Sequence, residues 1–115
     1  MKLIKLQYNK IREQKNFLGG IIMLIGSCKV KIHTPWVHSL KEKRMVVKSI
    51  CAKVRNKFNV SIAEIEDQDK HQIIVIGLAT VAGDMPQCDS IIDHVLNFIE
   101  SNSEGEIIEI ERDVV

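Results

Sequence analysis

Aromatic residues are scarce in this chain, at 4% of its 115 residues. Beyond residue 22 they reduce to Trp36, Phe58 and Phe98, and none of these falls in a stretch that reads as a strand. A sheet that stacks RNA bases on strand aromatics is therefore excluded. No run of about 18 apolar residues occurs, so no membrane-spanning helix is expected. The three cysteines, Cys28, Cys51 and Cys88, are odd in number and form neither a CxxC pair nor a zinc knuckle. They read as small residues kept reduced in a cytoplasmic compartment.

Catalytic patterns are also missing. There is no HExxH, GxSxG, P-loop or GxGxxG, and no Gly-rich phosphate loop of the phosphatase kind. His33, His38, His71 and His94 have no i,i+4 pair, and a metal site of His33, His38 and Cys28 is disfavoured by that spacing. Asp67 and Asp69 read as a solvated turn. The expectation is no enzyme, no metal and no cofactor.

What remains is ordinary globular composition, 45% hydrophobic and 27% charged. The length suits a single domain with its own core. The start is unusual. Residues 1–22 carry Lys2, Lys5, Lys10, Arg12 and Lys15 against Glu13, a net of +4. The chain as a whole is +1, which leaves −3 for residues 23–115. The apolar run Phe17–Ile25 is broken by Gly19 and Gly20 and lacks a signal-peptide cleavage site. Leu18-Gly19-Gly20 can be encoded with an AGGAGG core, placed like a ribosome-binding site before Met23. The expectation is that residues 1–22 are an untranslated leader read as protein, or a disordered extension, and that the domain occupies 23–115.

From Leu24 to Ile32 apolar and polar residues alternate, which predicts a half-buried strand ended by Thr34-Pro35. Ser39-Leu40-Lys41-Glu42 forms a capping box. The helix it opens runs to about Phe58, with Val47, Ile50, Cys51, Val54 and Phe58 as its buried stripe and Asn59 as a left-handed cap. Val60–Glu66 and His71–Thr80 read as strands joined by the polar loop Asp67–Lys70. Ile73–Leu78 is apolar enough for burial on both faces, as in a central strand. Asp84-Met85-Pro86-Gln87 opens a second helix to about Glu100. A last strand covers Glu106–Arg112, with Ile108 and Ile110 inward. The order β-α-β-β-α-β with right-handed crossovers predicts an α+β, ferredoxin-like sandwich. Its antiparallel sheet runs 4-1-3-2, with both helices on one face.

Charge is segregated. The first helix carries Lys41, Lys43, Arg44, Lys48, Lys53, Arg55 and Lys57 against Glu42, a net of +6. From Asp84 onward nine acids face Arg112 alone. A basic helix can bind phosphates by releasing counterions, although a solvated face partly neutralised by the neighbouring acidic helix is the commoner reading of such a run. Trp36, in the loop before this helix, could stack on a base or anchor a partner. A lone tryptophan there more often closes the end of a core.

Three stretches carry a family resemblance: Ile25-Gly26-Ser27-Cys28-Lys29-Val30, Ser39–Arg44 with Val47-Lys48-Ser49-Ile50, and Asn59–Glu64. Together they resemble the YlxP-like family of small bacterial proteins, whose members begin near Met23. The resemblance implies a ferredoxin-like fold and supplies no catalytic residue. The family's genes often lie beside those for a translation initiation factor and a ribosome-binding factor, which implies a role near translation or ribosome assembly.

The leading expectation is an RNA- or ribosome-associated accessory factor. Its phosphate contacts would be Lys41, Lys43, Arg44 and Lys48, with Lys29, Lys31 and Trp36 secondary, and its partner ribosomal RNA or a ribosomal subunit. The alternative is a homodimeric protein-interaction or small-ligand regulatory module that pairs through the open sheet face, since nothing in the chain is left to cover it.

Overall fold

The structure is a computed structural model that describes residues 23–115. The expectation about residues 1–22 lies outside the described residues. Six elements follow in the expected order: β1 Leu24–His33, α1 Leu40–Lys57, β2 Ser61–Glu66, β3 Ile73–Ala82, α2 Met85–Asn102 and β4 Glu106–Val114. The class is α+β, with two helices and one open antiparallel sheet of four strands ordered β2-β3-β1-β4. That is the expected order read from the other edge.

Register explains which residues are buried. Cys28, Val30 and Ile32 on β1 lie opposite Leu78, Ile76 and Ile74 on β3. Period-2 alternation puts all six on the helix-covered face. Ile50, Cys51 and Val54 of α1 join them in one core cluster with Ile92, Val95 and Ile99 of α2. Each such isoleucine or valine contributes about 1.5–3 kcal/mol by leaving water. Phe58 and Phe98 meet edge to face, with ring centroids 5.5 Å apart, and tie the end of α1 to α2.

Both helices start on the predicted caps. The Ser39 hydroxyl accepts from the Glu42 backbone N–H at 3.1 Å, and the Asp84 carboxylate accepts from that of Gln87 at 2.8 Å. The reciprocal bonds fall one residue early: Glu42 accepts from the His38 N–H and Gln87 from the Gly83 N–H. At the other end of α1 the expected left-handed Asn59 is not found. Phe58 caps the helix in an extended conformation, its N–H bonded to the Val54 carbonyl. Among the described residues other than glycine, only Asp67 has positive φ, at 53°.

The last strand departs from simple alternation. A bulge opposite Lys31 and Ile32 shifts its register, and Ile108 and Ile110 remain exposed. They sit on an edge strand whose outer flank nothing in the described chain covers. The expectation that both point inward is corrected for Ile108, which the bulge leaves unpaired; Ile110 does lie on the helix side, opposite Val30, but is not covered there.

Candidate nucleic-acid interface

Among the described residues, five cations lie within ion-pair distance of a carboxylate. Lys29 reaches Glu66 and Glu111, at 3.3 and 3.5 Å, and Lys31 reaches Glu109 at 3.5 Å. Lys43 pairs with Glu64, Lys70 with Asp67, and Arg112 with Asp89 and Asp93. The cations left without a carboxylate are Lys41, Arg44, Lys48, Lys53, Arg55 and Lys57, all on α1. Arg55 donates to the Ile62 carbonyl at 2.8 Å, and the Lys57 ammonium sits 4.8 Å from the centre of the Phe98 ring. Lys41, Arg44, Lys48 and Lys53 remain exposed to whatever approaches. The steps of three and four between Lys41, Arg44 and Lys48 align them in one stripe along the helix.

The predicted contact residues therefore divide. Lys41, Arg44 and Lys48 come together on the solvent face. Lys43 does not join them: at 1% exposure it is among the most buried side chains of the protein. Its ammonium donates to the Asp67 carbonyl in the β2–β3 hairpin and lies 3.0 Å from Glu64. Lys43 is therefore corrected from a phosphate contact to a core cation. The helix turn that aims Lys41 and Arg44 outward aims Lys43 at β2.

Lys29 and Lys31 lie on the opposite face of the sheet from the helices. Lys29 stretches from β1 across β3 to reach Glu66 on β2. The hydrogen bond that the Lys29 ammonium donates to Glu66, with Glu111 beside it, holds it above its ordinary pKa. These two lysines form a charge ladder on the sheet and do not extend the α1 stripe.

Trp36 is half-buried and lines a groove of about 390 Å³ between α1 and the end of α2, beside Met45, Ser49 and Lys53. The fully buried residues of its loop are Thr34 and Val37. The indole thus borders the α2-facing flank of α1, while Lys41, Arg44 and Lys48 occupy the other flank.

The open sheet face divides lengthwise. One half carries the Lys29 and Lys31 ladder, and Val75 on that face is fully buried within the monomer. The other half is a shallow trough of about 480 Å³ over Ser27, Ala63, Gly77 and Ala79, edged by Ile65 and, on the ladder side, by Lys29 and Glu111. No group of three or more His, Cys, Asp or Glu residues able to hold a metal occurs among the described residues. Cys28 lies on the helix side of β1 and His33 on the other, so the disfavoured His33–His38–Cys28 site does not assemble. No helix of the described residues is long and apolar enough to cross a membrane.

Comparison with known proteins adds a family and little chemistry. The family model described as protein of unknown function (DUF503) matches residues 25–112. The uncharacterized protein YlxP of Bacillus subtilis (strain 168) is 48% identical over 68 residues, covering 59% of this chain and 74% of that protein. Among solved structures, the de novo designed protein Foldit4 superposes with a TM-score of 0.48 at 11% identity, over 81% of this chain and 96% of its own.

Proposed function

The chain belongs to the DUF503 family of proteins of unknown function, and from that premise we propose that it is a non-catalytic accessory factor that binds structured RNA, with the ribosome or its assembly intermediates as the setting. The scaffold is read as ferredoxin-like, with both helices on one face. Lys41, Arg44 and Lys48 bind phosphate, and Lys53 and Trp36 lie on the neighbouring flank. One observation carries the reading: every described cation without a carboxylate partner is on α1. Matched lysines are already neutralised, whereas unmatched ones release counterions when they meet phosphate. Residues 23–115 are net −3, so the contact is local to this helix and follows the backbone and shape of the RNA rather than its sequence.

The test is co-sedimentation. Lysate containing the full chain is run through a sucrose gradient at low and high salt. Beside it runs the variant Lys41→Glu/Arg44→Glu/Lys48→Glu, its fold checked by circular dichroism. Travel with a ribosomal subunit that the variant and high salt both abolish supports the reading. A wild-type protein that stays at the top of the gradient at low salt rejects it.

A second reading is a homodimer closed through the open sheet face. Its support is the pair Ile65 and Val81, exposed by 47% and 57% on that face, Ile65 at the edge of the trough and Val81 opposite Ile25. Light scattering at a dimer's mass, insensitive to salt and lost in Val81→Lys, would favour it over RNA binding.

A further inference from the structure

We propose that the outer edge of β4, with the groove between β4 and α2, docks a basic extended peptide from a partner protein as a fifth strand of the sheet. The inference rests on the acidic side of the molecule and is independent of the α1 reading.

Three observations converge there. β4 is an edge strand of nine residues, about 30 Å long, paired among the described residues only with β1. Its outer flank offers alternate backbone N–H and C=O groups to another chain. Between β4 and α2 lies a groove of about 570 Å³ with Leu96, Ile107 and Ile110 as its apolar surface. Ile110 is on the helix side of the sheet, opposite Val30, yet 45% exposed. Around that apolar surface the charges have one sign. Asp93, Glu100 and Glu106 line the groove with no lysine or arginine. Arg112 holds Asp93, but among the described residues the side chains of Glu100 and Glu106 have no ion-pair or hydrogen-bond partner.

The charge selects the occupant. A second copy added edge to edge would bring Glu106, Glu109, Glu111 and Asp113 against their own duplicates, which like-charge repulsion opposes. RNA is repelled for the same reason. A peptide of alternating basic and apolar residues fits both sides of the strand. Its apolar side chains fall into the groove over Leu96 and Ile110, while its lysines or arginines, on the open face of the added strand, reach Glu106 and compete with Lys29 and Lys31 for Glu111 and Glu109. Glu100 adds to the attraction at the groove without a direct contact. Main-chain bonds to β4 then supply affinity, and the alternation supplies selectivity.

The experiment uses the full chain labelled with 15N and a synthetic heptapeptide that alternates lysine and valine. A second peptide, with four lysines followed by three valines, has the same composition and charge without the alternation. Saturable binding is expected, with amide shifts confined to residues 106–114 and 93–104 and slowed hydrogen exchange at alternate residues of β4. The blocked peptide is expected to bind about tenfold more weakly. Ile110→Lys and Glu100→Lys/Glu106→Lys, both at exposed positions, are each expected to weaken the alternating peptide by about tenfold. The proposal is overturned if the alternating peptide shows no binding up to about 1 mM. Equal binding of the blocked peptide would reduce the effect to bulk charge attraction and overturn it too, as would shifts that map elsewhere.

Discussion

The ammonium of Lys43 on α1 lies 3.0 Å from a carboxylate oxygen of Glu64 on β2, and the lysine is sealed from solvent. The same ammonium donates to the Asp67 carbonyl, so one side chain fixes the helix, the edge strand and the hairpin that follows it. Removing one partner of a buried pair strands the other charge, which is costlier than replacing both.

Lys43→Met should therefore destabilise the fold by about 3 kcal/mol. The double variant Lys43→Met/Glu64→Leu should recover most of that loss. Urea unfolding of the three proteins is the measurement. Equal losses in the single and double variants would mean that the pair does not act as a unit. RNA binding, where present, should survive in the double variant.

Phosphate contacts are expected to register as salt dependence. Lys48→Gln should lower the slope of log affinity against log salt by about 0.9. Lys29→Gln should leave that slope unchanged, because Lys29 is already bonded to Glu66. Titration of a structured RNA at several salt concentrations separates the two.

Gly26 on β1 faces Cys88 at the start of α2, and a methyl at Gly26 would overlap the Cys88 sulfur. Gly26→Ala should cost about 1–3 kcal/mol as overpacking. Adding Cys88→Ala should restore part of it, since the second change removes the atom that clashes. A thermal melt of each variant, giving a coupling energy of clear sign, checks the contact.

Burial pushes the thiols of Cys28, Cys51 and Cys88 above the ordinary value of 9.0. The unfolded chain then loses these protons at lower pH than the folded one. Their contribution to stability is complete below pH 9 and is lost as pH rises through the folded values. Stability measured by urea from pH 8 to 10.5 should fall at the alkaline end, more steeply than in Cys51→Ala. At neutral pH a thiol reagent should label the native protein slowly at all three sites.

The elements were legible because period and caps agreed. Leu24–Ile32 alternates cleanly, and Ser39 and Asp84 cap where their residue types suggest. The candidate site was legible only in part. Lys43 reads as one of a run of basic residues, although it stands four residues before Val47 and seven before Ile50, on the apolar stripe. Glu64 likewise stands two residues after Ile62, on the core side of its strand. Two charges at core-facing positions of adjacent elements were the available signal for a buried pair. The neutralisation of Lys29 and Lys31 was not legible, because it depends on the register of β1 against β4 and on a side chain that crosses a whole strand. The exposure of Ile108 follows from a bulge that alternation does not encode.

The confinement of unmatched cations to α1, with unmatched acids on α2 and β4, makes the molecule a permanent electric dipole of small net charge. A polyanion exerts torque on such a body before touching it. The molecule will be turned helix-first during diffusion, so salt should slow its arrival more than it hastens its departure.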